Sequence, residues 1–198
     1  RLRLSFKESK HMKKYIRIVG GQYRRTPISV VEAPGLRPTP DRVRETLFNW
    51  VAFFWQDQFS TKNVLDLFAG SGALGFEAAS RGVASVEMVE CHTQTIVALR
   101  YLRDKLKADH VKIHPGDAKA VMSRLGQARF DLILLDPPFG QNWFPALLNQ
   151  VSPLLNQDGL VYVEAETVFK PPESFETLRS GHAGAVHYQL LQKKLSTL

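Results

Sequence analysis

Residues 136–139, Asp136-Pro137-Pro138-Phe139, follow an apolar run, Leu132-Ile133-Leu134-Leu135. A short apolar run closed by a breaker reads as a strand buried on both faces of a parallel sheet, so this strand ends on a carboxylate. Pro137 and Pro138 hold their own φ at about −65° and donate no N–H, which makes the loop stiff and leaves it carbonyls to offer. Phe139 adds a flat apolar face. The group suits an exocyclic amine on a nucleobase: the base stacks on Phe139 while Asp136 and the Pro137 carbonyl accept the two N–H hydrogens. The nitrogen lone pair is then free to point at an electrophile. The plain alternative is a buried strand followed by an ordinary Pro-Pro turn, and the rest of the chain decides between the two.

A second group, Asp66-Leu67-Phe68-Ala69-Gly70-Ser71-Gly72, closes one strand-like run and opens a helix-like one. Glycines at such a junction let the backbone turn tightly and let a ligand approach the main chain. Read as Gly70-x-Gly72-x-x-Gly75 the loop also fits a dinucleotide fingerprint, a weak signal by itself. Two features favour a different nucleoside cofactor. Asp66 precedes the glycines, where a pyrophosphate gains nothing from negative charge but the ammonium of a methionine moiety does. Glu90 ends the next strand, where a carboxylate can accept both ribose hydroxyls. Asp117, after Gly116, can accept from an adenine amine, with the Ala118 N–H near a ring nitrogen. Singly, each acidic residue is a candidate helix cap or solvated turn. Three of them at successive strand ends, with the glycine loop, point together to an adenosyl cofactor.

The elements that must position these groups alternate. From residue 63 onward, strands are expected at 64–68, 85–90, 111–114, 130–135 and 160–164, with helices at 73–80, 93–107, 118–125 and 143–155. Short connections between such repeats argue for a doubly wound, mostly parallel sheet. Residues 177–178 and 186–191 look like two more strands, with Gly181 and Gly184 marking a hairpin and hence an antiparallel edge. The expected class is therefore α/β, with seven strands. Ahead of this lies a smaller unit. Residues 15–19 and 28–31 read as a hairpin around Gly20-Gly21, and 33–40 is a loop. A helix then runs to about Trp55, with Thr39 as N-cap, Pro40 at its first position and Val43, Leu47, Trp50, Val51 and Phe54 as its buried stripe. Residues 1–11 show no periodicity and read as a disordered or vector-derived leader before Met12. The expected division is 12–60 as a basic hairpin, loop and helix, and 61–198 as the cofactor-binding catalytic unit.

Charge follows that division. The 198 residues carry a net +7, and residues 1–60 hold 12 Lys/Arg against 5 Asp/Glu. The remainder is balanced, with 14 of each. A basic arm on a neutral body is the footprint of a polyanion binder. Arg24, Arg25, Arg37, Arg42 and Arg44 are the candidates for phosphate contact. The bland alternative is a solvated basic face. No apolar run is long enough for a membrane helix, and no apolar segment follows the basic start as in a secretory signal. With one cysteine, Cys91, an internal disulfide is impossible and a reducing cytoplasm is the natural setting. Cys91 reads as a buried small residue. His11, His92, His110, His114, His182 and His187 show no ligand spacing, so no metal is expected.

DLFAGSG, Glu90, Gly116-Asp117 and DPPF together resemble the S-adenosylmethionine-dependent methyltransferases of exocyclic amines. IRIVGGQYRR and GLRPTPDRVRETLFNW (residues 35–50) resemble something narrower, the bacterial RsmD family, which methylates a guanine amino nitrogen in small-subunit ribosomal RNA. The resemblance covers about residues 15–192. It implies a class I methyltransferase (Rossmann-like) sheet and S-adenosylmethionine held by Asp66, Phe68, Gly70, Ser71, Gly72, Glu90, Asp117, Ala118 and Asp136. It implies Asp136, Pro137 and Phe139 as the catalytic set, and ribosomal RNA or the assembled small subunit as partner of a monomer. Adenine in DNA or a protein glutamine is the rival acceptor. A nucleoside- or RNA-binding module without catalysis, or a nicotinamide-binding protein, is the rival class.

Overall fold

The computed structural model describes residues 14–31, 38–126, 129–138 and 144–194. The chain opens with an antiparallel pair, β1 (Lys14–Arg17) and β2 (Pro27–Val30), in which Tyr15 faces Ser29. The turn between them lies so close to the body that a Cβ on Gly21, where φ is +77°, would stand 1.8 Å from the Ser80 carbonyl oxygen. Only glycine fits there. Helix α1 (Asp41–Trp55) follows. The alternation then begins: β3 (Asn63–Asp66), α2 (Ala73–Ser80), β4 (Ser85–Glu90), α3 (Thr93–Leu106), β5 (Val111–Pro115), α4 (Ala118–Met122), β6 (Phe130–Leu135), α5 (Ala146–Val151) and β7 (Leu155–Ala165). The hairpin β8 (Phe175–Ala183) and β9 (Val186–Lys193) closes the chain.

The seven strands from β3 to β9 form one sheet in the order β5-β4-β3-β6-β7-β9-β8. Five are parallel and β9 runs antiparallel to both its neighbours, as expected of a doubly wound sheet with an antiparallel edge. After β3 the chain winds outward through β4 and β5, then returns to place β6 on the other side of β3. Ligands of open α/β sheets gather where the order reverses, outside the carboxyl ends of the strands. That point lies between Asp66 and Asp136. Apolar residues of β1, β2, α1, α2 and α3 pack in one core on one face of the sheet, and those of α4 and α5 in another on the opposite face.

Helix α2 explains how the N-terminal unit is held. Its eight residues, ALGFEAAS, are all buried, because one side packs on the sheet and the other lies beneath the hairpin and α1. A helix that is apolar all round must be covered all round. Its one charge, Glu77, accepts from the N–H groups of Val19 and Gly20 at 2.8 Å each and pairs with Arg44 at 3.2 Å and Arg81 at 3.1 Å.

Several expectations are corrected. Arg44 takes no phosphate: its side chain is fully buried, bonded to Glu77, Asp41 and the carbonyls of Arg17 and Thr39. The buried stripe of α1 is accordingly rotated to Val43, Arg44, Leu47, Phe48, Val51 and Trp55, leaving Trp50 and Phe54 half-buried. Thr39 does not cap α1: Pro40 holds the N-cap position, and the Thr39 hydroxyl donates to Glu164. The helix expected over 143–155 is shorter, giving way to a 3-10 turn at Ser152–Leu154, and β7 begins at Leu155 rather than 160. Cys91, just past the end of β4, is exposed. Among the described residues no helix is long and apolar enough to cross a membrane.

Candidate active site

A cleft of about 520 Å³, open mouth included, lies over the switch point. Phe68, Gly70 and Ser71 of the glycine turn line it on one side and Asp136 on another, with Thr39 from the segment before α1 and Thr95 from α3. The turn is compact because Gly72 N–H donates to the Ala69 carbonyl and Gly72 adopts φ +80° as the N-cap of α2. A Cβ there would stand 2.6 Å from Leu99 and 2.7 Å from Phe76.

Asp66 lies beneath the turn, 1% exposed. Its Oδ2 accepts from the Gly75 N–H at 3.0 Å, while Oδ1 is buried with no hydrogen-bond partner. A buried carboxylate oxygen without a donor is costly and asks for one. Burial pushes the Asp66 carboxyl up to about 7, opposed by the Gly75 and Phe68 N–H groups and reinforced by the nearby charges of Glu90 and Glu164. Glu90 ties the next strand end to the turn: Oε2 accepts from Gly70 N–H at 2.9 Å, and Oε1 from the N–H groups of Cys91 and His92 at 2.8 Å each. Asp117 caps α4, with Oδ1 accepting from Lys119 and Ala120. The strand ends are joined there too, since Gly116 N–H donates to the Glu90 carbonyl at 2.9 Å. Asp117 and Ala118 border this junction and do not line the cleft.

Asp136 retains some exposure to the cleft, yet its carboxyl is held well above the ordinary range, first by desolvation, then by Glu164 and Asp66. Glu164 is the group that sequence reasoning missed. It sits near the end of β7 beside β6 and is 4% exposed, with Oε1 accepting from Thr39 at 2.6 Å and from the Tyr162 hydroxyl at 2.8 Å. Desolvation raises Glu164 as well, against those two bonds. Two acidic groups crowded together at a strand tip resist ionising together. The available signal was the acid that closes an otherwise apolar run, Leu160 to Val163, as Asp136 closes its own.

Pro137 is buried next to Asp136, while Phe139 and Arg37 lie outside the described residues. Arg24, Arg25 and Arg42 are exposed. Glu90, Cys91 and His92 bring three donor atoms within 4.8 Å of one another, but the Glu90 oxygens already accept three N–H bonds. The Cys91 thiol is pushed up by desolvation and then by Glu90, which disfavours a reactive thiolate. The orphaned Asp66 oxygen, the glycine turn and the cleft fit a nucleoside cofactor carrying an amino-acid ammonium.

This sheet order, with a glycine turn at the switch point, is the fold of class I methyltransferases. A solved putative methyltransferase from Escherichia coli matches with a TM-score of 0.80 and 35% identity, over 92% of this chain and 100% of that one. A putative methylase from Haemophilus influenzae matches with a TM-score of 0.76 and 29% identity, over 91% and 99%. The family described as "Conserved hypothetical protein 95" matches residues 16–192. The Ribosomal RNA small subunit methyltransferase D of Escherichia coli (strain K12) is 36% identical over 184 residues, 90% of each chain. That of Haemophilus influenzae is 35% identical over 185 residues, 89% of this chain and 93% of the relative. The chain belongs to the RsmD family.

Proposed function

We propose that the chain transfers a methyl group from S-adenosylmethionine to the exocyclic N2 amine of a guanine in small-subunit ribosomal RNA. One observation carries this reading: the glycine turn after β3 and Asp136 at the end of β6 line the same cleft. The relatives named as small-subunit ribosomal RNA methyltransferases support the substrate class. Asp66 would take the methionine ammonium, with Phe68 and the turn Gly70-Ser71-Gly72 alongside. Glu90 would take the ribose hydroxyls, and Asp117 with the Ala118 N–H the adenine. When bound, the cofactor supplies a methyl group already activated on a sulfonium.

The chain's own task is alignment. Asp136 and the Pro137 carbonyl accept the two amine hydrogens and aim the lone pair, while Phe139 stacks on the base. Most of the rate comes from this placement and from exclusion of water. Asp136, desolvated and facing Glu164, is suited to hold the proton that the amine loses. The guanine must leave its stack to enter. Arg24, Arg25 and Arg42, with Arg37, would hold phosphates, so residues 12–60 face the RNA while 61–198 carry the chemistry. One chain supplies every group, so a monomer suffices. The test offers labelled cofactor with naked small-subunit RNA, assembled subunits or duplex DNA. Label in RNA or subunits is expected; label confined to DNA overturns the reading in favour of an adenine acceptor.

A further inference from the structure

The cleft does not end at Ser71. The same residue borders a broader depression between the hairpin and α3, about 1,420 Å³ including its open side. Gln94, Val97, Tyr101 and Lys105 line it from α3, and Tyr15 and Ser29 from β1 and β2. The four α3 residues are spaced three and four apart, so they form one stripe along the helix. The stripe is odd for a surface: Val97 is 61% exposed and Tyr101 69%, with Tyr15 at 56% across the depression. Neither tyrosine ring stacks on another ring or forms a hydrogen bond among the described residues. No acidic side chain lines the depression, and the cation that does, Lys105 on α3, is exposed.

Exposed aromatic faces beside a cation, without lining acids, are the ingredients of a single-strand nucleic acid track, where bases stack on rings and phosphates meet lysines. A purely apolar protein partner would not call for Lys105. Continuity with the cleft supplies the direction. We propose that this groove holds the unpaired nucleotides adjoining the base that enters the cleft, with Tyr101 and Tyr15 as stacking platforms and Lys105 at the phosphates. The inference rests on the reading of the acceptor as RNA, and it adds a second surface to the arginines of the hairpin.

The test compares wild type, Y101F, Y101A, the double variant Y15A/Y101A and K105E. Binding to a short single-stranded oligoribonucleotide and to small-subunit RNA is read by fluorescence anisotropy, beside the KM and kcat of methyl transfer. Calorimetric affinity for S-adenosylmethionine serves as the folding control. Tyr101 is exposed and mid-helix, so alanine leaves the fold intact. Loss of one stacking ring is expected to weaken RNA binding about five- to a hundredfold and to raise KM, with cofactor affinity unchanged and Y101F close to wild type. K105E is expected to weaken binding and to lower the salt slope by about 1. RNA affinity and KM within twofold of wild type in Y15A/Y101A would overturn the groove. So would a double variant that binds naked RNA normally but fails on assembled subunits, which would point to a protein surface instead. If wild type methylates no RNA but binds the oligoribonucleotide through these tyrosines, the groove stands and the proposed reaction falls.

Discussion

Replacing Asp66 with asparagine should stabilise the cofactor-free protein, and more so the higher the pH. The side chain is 1% exposed with one carboxylate oxygen lacking any donor, and its pKa rises from 3.8 to about 7 on folding. A carboxyl with a raised folded-state pKa favours the fold fully below its unfolded value, here 3.8. That contribution drains away as pH climbs to about 7, because the unfolded chain ionises first. At about 1.4 kcal/mol per unit, the loss totals about 4 kcal/mol, of which about 2–3 falls between pH 5 and pH 8. Asparagine keeps an oxygen for the Gly75 N–H and carries no charge, so it escapes the loss. Urea unfolding of both proteins at the two pH values reads the difference directly. With a slope of about 2 kcal/mol per molar, the midpoint gap should widen by about 1 M toward D66N at pH 8. A gap that stays constant to within about 0.5 kcal/mol, or closes, would refute the reasoning. The same carboxyl should also register the cofactor: an ammonium placed beside it restores ionisation, so binding near pH 6.5 should release most of a proton from wild type and none from D66N.

Glu77 and Arg44 form a fully buried pair, and R44A should cost about 3–5 kcal/mol in chemical denaturation because it strands Glu77. Adding Glu77→Gln to R44A should recover part of that loss, a coupling expected of groups in direct contact. With Asp136 in its proposed role on the amine, D136A should lower kcat about a hundredfold or more while leaving S-adenosylmethionine affinity within a few-fold. Glu164→Gln removes the neighbouring charge that raises Asp136, so the acid limb of the kcat profile should move to lower pH; an unmoved limb would show that the two carboxyls act independently.

The elements that sequence reasoning placed correctly are those whose causes are local. The run 130–135 and the acids at 66, 90 and 136 mark strand ends because breakers or glycines follow them, and α2 is bounded by Gly72 and by the exposed turn at Gly82. What escaped depends on partners distant in the chain. Arg44 looks like a surface residue until Glu77, 33 positions away, requires a counter-charge inside the protein. Thr39 has the right type for a helix cap, but it stands one position before the N-cap and its hydroxyl donates to a carboxylate 125 residues on. Glu164 looks like no more than a strand end, because its meaning lies in the strand next to it, where Asp136 shares its low-dielectric corner. That the glycine turn and Asp136 meet at one cleft was therefore legible in the sequence, whereas the electrostatics of that cleft was not.

The atom that receives the methyl group defines the proposed activity. Small-subunit RNA incubated with the protein and methyl-labelled S-adenosylmethionine, digested to nucleosides and resolved by mass spectrometry, should carry the label in N2-methylguanosine, and that peak should vanish with D136A. Label in any other nucleoside, or an undiminished N2-methylguanosine peak from the Asp136 variant, would contradict the account.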